Sequence, residues 1–253
     1  FKDGVDYVPA PMPLLLGQHL SAIAAAGPIV GPILAGLMFG WLPALLWILL
    51  GSIFIGGVHD YASLVASIRN KAASIAFLVQ SHLSPTAYRL FLIFMWLSLL
   101  YVVVAFTDIT AQTFHATADT FASGPAVASS SILYLMLAVV MGVMLYKFKL
   151  PLSLSTAIIL PLVLLAVWIG PRLPQSILAP LAKLTVAQWD IFLLAYCFVA
   201  SLIPMWILLQ PRGYLGGWLL YLTIIAGLVG SLFGGFTVQY PAVLLDGWAS
   251  SVN

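Results

Sequence analysis

Few residues of this chain have types and spacing that can do chemistry, and they stand where charge is scarce. Asp60, preceded by His59, closes a run with no Asp, Glu, Lys or Arg from Tyr7 to His59. A carboxylate inside such a run faces a cavity or a partner and often relays protons. Imidazole changes charge near neutral pH. Asp60, His59 and His19 therefore form a candidate proton-coupling set. Pairing of Asp60 with Arg69, or its hydration at the membrane interface, is the structural alternative, and both stay open. Within the same run lie Gln18-His19 and two Gly-Pro pairs, Gly27-Pro28 and Gly31-Pro32. Proline removes a helix N–H and restrains the residue before it, so a helix break is expected within 27–32. Freed backbone groups at membrane depth are tolerated only where protein or a water-filled cavity satisfies them, and broken spans point to transporter binding sites. Gln18, His19, Gly27, Pro28, Gly31 and Pro32 are thus candidate substrate-binding residues. Ser201, beside a second breaker at Pro204, joins them. A plain kink with close helix packing is the alternative, because Gly27 and Gly31 also have small-xxx-small spacing.

The elements that must position these residues are membrane helices. Of 253 residues, 63% are hydrophobic and 6% charged, too little charge to clothe a water-facing surface. The fold class is an all-α, polytopic transmembrane helix bundle. A span needs about 20 apolar residues, and seven such runs are read: 14–39, 44–67, 90–106, 127–146, 152–169, 189–209 and 214–233. Residues 1–13 form an irregular leading segment, 107–126 a polar connection, 211–213 a tight turn, and 234–253 an irregular tail. The first residue is Phe1 and no signal peptide is visible, so the chain is expected to be a piece of a longer protein with one transmembrane domain over 1–253. A net charge of +2, widely scattered, argues against a nucleic-acid partner. Cys197 is alone, so no disulfide or cysteine-based metal site is expected. No nucleophile elbow, metalloprotease motif or phosphate-cradling glycine loop is present. No catalytic residue, metal or cofactor is therefore assigned.

Seven spans divide the cations unequally. Lys2, Arg69, Lys71, Arg89, Lys147, Lys149 and Arg212 fall on one side, Arg172 and Lys183 on the other. The positive-inside rule then makes residue 1 cytoplasmic and residue 253 extracytoplasmic. Counting about 1.5 Å per residue, Gln18-His19 and His59-Asp60 fall at similar depths in the inner third of the bilayer. The short turn at 40–43 makes the first two spans antiparallel neighbours, so His19, His59 and Asp60 are expected to share one pocket. Gly213 with Gly217, and Gly230 with Gly234, read as packing faces.

Three blocks carry a family likeness. Asp3-Gly4-Val5-Asp6-Tyr7-Val8-Pro9, followed by Gly17-Gln18-His19 and Gly27-Pro28-Ile29-Val30-Gly31-Pro32, resembles the N-terminal signature of the carbon starvation protein A family. Gly51 with Gly56-Gly57-Val58-His59-Asp60-Tyr61, and the stretch from Leu202 to Leu215, resemble further motifs of that family, in the same order. The pattern departs where the family favours two adjacent histidines at Gln18-His19, an amide at His59 and an acidic residue at Gly213. The resemblance implies an inner-membrane importer of small carbon sources, peptides or pyruvate, driven by protons. It also implies kinship with transporters built from five-helix inverted repeats, the spans holding 27–32 and Pro204 being the first and sixth.

The expected function is a proton-coupled secondary transporter acting during nutrient limitation. Its partners would be the lipid bilayer, a small-molecule substrate and protons, with further copies of the chain or the missing helices of the same protein completing it. A non-transporting membrane scaffold subunit is the rival, and an intramembrane enzyme using His59-Asp60 ranks behind both.

Overall fold

The computed structural model describes residues 10–24, 26–116, 123–235 and 237–245. The Asp3–Pro9 block, Asp119 and the tail after 245 lie outside them. The described residues form eleven α-helices and no strand: α1 (Met12–Ile23), α2 (Ala26–Phe39), α3 (Trp41–Leu50), α4 (Val58–Arg69), α5 (Ile75–His82), α6 (Pro85–His115), α7 (Gly124–Tyr146), α8 (Leu152–Ile169), α9 (Gln175–Ala182), α10 (Val186–Leu202) and α11 (Leu209–Phe233). A π-helical stretch, Gly51–Gly57, joins α3 to α4 without interruption. Large apolar side chains such as Trp47, Phe54, Leu90 and Ile191 are exposed along these helices, a surface that suits lipid rather than water.

Six stretches are long and apolar enough to cross a membrane, and a seventh arises if α9 and α10, bent by 101°, make one span. Parity favours seven. The Leu42 N–H donates to the Ala242 carbonyl (3.0 Å) and the Leu244 N–H to the Phe39 carbonyl (2.9 Å), so both ends of that path lie on one side. Five of the six stretches lie between Leu42 and Ala242. An even number of crossings is needed to return, and the bent pair supplies it.

Proline placement decides where helices stop, and it departs from the sequence expectation. The first span breaks at Ala24 (φ −83°, ψ 41°), not within 27–32, which is helical. A proline ring collides with the carbonyl four residues earlier, so Pro28 breaks the chain at Ala24 and then sits in the first turn of α2, where its missing N–H is harmless. Pro32 remains inside α2. Likewise α10 stops at Leu202 ahead of Pro204, and Ile203 is extended. Pro211 lies in the first turn of α11, so 211–213 is helical and no tight turn. The expected polar connection is helical as far as His115, because Thr107, Ala111 and Phe114 make a buried stripe along α6. Two short helices, α5 and α9, occupy stretches read as loops. A Thr185–Gln188 capping box starts α10 at Val186, ahead of the expected Trp189.

The chain separates into two compact units, each described by itself. The first holds α1, the end of α6, and α7 to α11. Its main core joins Leu14, Ala138, Met141, Ile159, Val163, Tyr214 and Leu215. A second cluster sets Phe114 edge-on to Trp189, ring centroids 5.1 Å apart. The second unit holds α2 to α5, the first part of α6 and residues 237–245. There α2 and α3 form a helical hairpin around Gly40 (φ +93°). The tail crosses that turn, with Tyr240 hydroxyl donating to the Leu37 carbonyl (2.6 Å). A Cβ on Gly40 would stand 2.5 Å from the Ala242 carbonyl oxygen. Gly40→Ala is therefore expected to cost about 1–3 kcal/mol and to expose the 237–245 segment to proteolysis, read by limited digestion. An unchanged digestion pattern would show that the turn tolerates a side chain.

Candidate functional site

Two cavities carry the candidate chemistry, one in each unit. In the second unit, α2 and the α3–π stretch enclose a groove of about 550 Å³. Gly27, Pro28, Gly31, Pro32 and Ala35 line one wall; Ala44, Trp47, Ile48, Gly51, Ser52, Ile55 and Gly56 line the other. The glycines keep the α2 wall low: a Cβ on Gly31 would meet no heavy atom within 4 Å. Pro32 has no N–H to offer the Pro28 carbonyl, so this wall has a backbone acceptor lacking its regular helical donor. The facing wall runs from α3 into the π-helix, a local widening often found at functional sites. Ser52 supplies the groove's side-chain hydroxyl.

The π-helix leads directly into α4, where His59 Nδ1 lies 3.1 Å from Asp60 Oδ1. The side chains are 76% and 53% exposed respectively, so the pair is open to its surroundings rather than sealed in a core. Ser63 Oγ donates to the His59 carbonyl (2.8 Å), a bond within α4. Arg69 stands at the far end of that helix, and among the described residues no ion pair joins it to Asp60.

In the first unit, α1 lies against α11 through glycine. A Cβ on Gly217 would be 2.6 Å from the Gly17 carbonyl oxygen, and one on Gly17 would be 2.9 Å from Tyr214 Cδ2. The Gly213 and Gly217 packing face read from the sequence is thus real, while Gly230 has open space around it. Beside this seam is a pocket of about 300 Å³ lined by Gln18, Ser21, Ala22, Tyr134, Leu209, Arg212 and Gly213. The Tyr134 hydroxyl donates to the Arg212 carbonyl. Tyr146 donates to Gln210 Oε1 (2.7 Å), and the Thr156 and Tyr214 hydroxyls are 2.9 Å apart. These bonds hold the first turns of α11 against α7 and α8.

Gly27, Pro28, Gly31 and Pro32 therefore share one groove. Gln18 lines the other pocket, and His19 is exposed next to it on α1. Ser201 is exposed near the end of α10 and bonds back to the Phe198 carbonyl (2.7 Å). His19 belongs to the first unit, and His59 and Asp60 to the second. Sequence reasoning missed Trp47, Ser52, Ser21, Tyr134 and Arg212. Arg212 enters the sequence reading only as one cation of a tight turn, although it sits inside one of the three family-like blocks. Tyr134 had no signal, being one aromatic in an apolar run. Among the described residues, no group of three or more His, Cys or Asp side chains is placed to hold a metal.

A multi-pass, all-α chain whose helices are long and apolar enough to cross a membrane is an integral membrane protein. The chain belongs to the carbon starvation protein CstA family, which it matches over residues 1–248. It is 34% identical over 247 residues to the peptide transporter CstA of Bacillus subtilis, covering 95% of this chain and 39% of that protein. It is 35% identical over 247 residues to the peptide transporter CstA of Escherichia coli, covering 96% of this chain and 34% of that one. The pyruvate/proton symporter BtsT of Escherichia coli is 29% identical over 247 residues, 96% of this chain and 33% of that protein. The chain thus spans between a third and two fifths of the length of these relatives. No solved structure matches it.

Proposed function

We propose that the chain is part of a secondary transporter that imports small organic carbon compounds, peptides or pyruvate-like acids, by proton symport. The observation that carries this reading is the groove: both Gly-Pro pairs face a π-helix that runs directly into His59-Asp60. Backbone acceptors on α2 and the Ser52 hydroxyl would hold polar ends of the solute. Asp60 would carry the coupling proton with His59 as its partner, and His19 would serve as a further proton-accepting group of the transporter. The cation distribution supports a cytoplasmic start and an extracytoplasmic tail. Relatives named as a peptide transporter and as a pyruvate/proton symporter supply the two substrate classes.

Uptake of labelled pyruvate, dipeptides and tripeptides into proteoliposomes holding the full-length natural protein, with and without an imposed proton gradient, tests the reading. Gradient-dependent accumulation of one class is expected. No accumulation of any, by well-folded protein, would favour a scaffold role. Gly31→Leu separates groove from packing, because the new side chain enters open space. It is expected to raise the KM for uptake roughly tenfold, equivalent to about 1.4 kcal/mol of lost binding, with thermal stability unchanged. Unaltered uptake kinetics would remove the groove from the solute path.

A further inference from the structure

The pocket beside the α1–α11 seam has a charge that the groove-and-proton reading leaves unused. We propose that it is a carboxylate-recognition site in which Arg212, Gln18 and Ser21 bind the anion and Tyr134 positions the arginine's helix turn. The site rests on the transport reading only for which carboxylate it takes.

Three observations carry it. First, two missing side chains keep the pocket open. A Cβ on Gly213 would be 2.9 Å from Gln18 Cγ, and one on Gly216 would be 2.9 Å from Ser21 Oγ and 3.3 Å from the Tyr134 hydroxyl. Polar groups from α1 and α7 therefore converge on the two glycines that follow Arg212 within one turn of α11. Second, among the described residues no ion pair joins Arg212 to either aspartate of its unit, Asp108 or Asp190. Asp108 accepts from its own neighbour Gln112 (2.7 Å), and no acidic residue lines the pocket. A guanidinium placed near lipid without a counter-ion is costly unless it faces a cavity or an anion. Third, the donor set suits a carboxylate. Guanidinium binds carboxylate through two parallel N–H bonds, and the Gln18 amide and Ser21 hydroxyl can add neutral donors. The Tyr134 hydroxyl spends its proton on the Arg212 carbonyl, so it orients the turn rather than binding the anion. Peptides and pyruvate differ in nearly everything except a terminal carboxylate. One arginine pocket of about 300 Å³ would serve either.

Thermal melting of the purified full-length protein tests this without relying on uptake. The probes are pyruvate, alanyl-alanine, methyl pyruvate and alanyl-alanine amide. A free acid is expected to raise the melting temperature while its ester or amide does not, and which acid succeeds tells a keto acid from a peptide C-terminus. Arg212→Gln should abolish the shift. Arg212→Lys, which keeps the charge at the helix end, should retain membrane abundance but bind about tenfold more weakly, the scale of one charge-assisted hydrogen bond. Should Arg212→Gln fail to fold, the comparison of acid with ester and amide on the natural protein decides alone. Equal stabilisation by acid and neutral forms, no stabilisation by any probe, or a folded Arg212→Gln protein that still responds would overturn the site. Accumulation in proteoliposomes without discrimination between acid and amide would sink this site and leave transport standing. Discrimination without accumulation would do the reverse.

Discussion

Asp60→Asn is expected to reduce gradient-driven accumulation to background while leaving solute exchange across the membrane intact. Asparagine keeps the size of the side chain and an oxygen that can still meet His59 Nδ1, now 3.1 Å from Asp60 Oδ1. It removes the one property that coupling needs, a proton that binds and leaves. A chain with three other described histidine positions and two other described aspartates, Asp108 and Asp190, offers little redundancy. His59→Asn should have a smaller effect, since histidine would tune the carboxylate rather than carry the ion. The measurement is paired: accumulation under an imposed pH gradient, and counterflow with solute on both sides and no gradient. Loss of the first with retention of the second is the expected signature of a coupling residue. Loss of both would mean that Asp60 supports structure or solute binding, and full gradient-driven uptake would remove it from coupling altogether.

Gly217→Val is expected to give the largest stability loss of any single substitution proposed for this chain. At that position a Cβ would stand 2.6 Å from the Gly17 carbonyl oxygen and 2.9 Å from Gly17 Cα. Both are backbone atoms of a helix, so no rotamer change relieves the clash. Overfilling a packed interior costs about 1–3 kcal/mol even where side chains can shift, and here α1 must move as a body. Leu14 would leave the core it shares with Tyr214 and Leu215, and Gln18 would leave the arginine pocket. Thermal melting should fall clearly, and carboxylate-dependent stabilisation should vanish with it. Gly230→Val is the control: its Cβ meets nothing within 4 Å, and it should melt like the natural protein. Equal melting of both variants would mean that α1 and α11 do not meet through glycine.

How much was legible in the sequence varies by residue. Composition alone dictates membrane helices, because lipid leaves a backbone no hydrogen-bond partner outside a helix or a closed barrel. The presence of a break in the first span was equally legible from Pro28, but its place was not. The break falls at Ala24, four residues before the proline, because the ring strikes the carbonyl there. Helix ends set by proline were misjudged in the same sense at Pro211, where position in the first turn makes the ring harmless. Polar residues misled in 107–115, since a helix needs only one buried stripe, here Thr107, Ala111 and Phe114.

For the sites the division is sharper. The residue types in Gly27-Pro28, Gly31-Pro32 and His59-Asp60 marked chemistry before any fold was known, because prolines and a carboxylate in an apolar run are costly and need a reason. That the two Gly-Pro pairs face a π-helix depends on helix rotation, which no short-range pattern encodes. The arginine pocket was beyond reach for a different reason. Gln18 and Arg212 are distant in sequence, and their approach depends on Gly17 and Gly217 letting two backbones touch. Local chemistry is written in local sequence; which distant residues meet is decided by how closely two helices can pack.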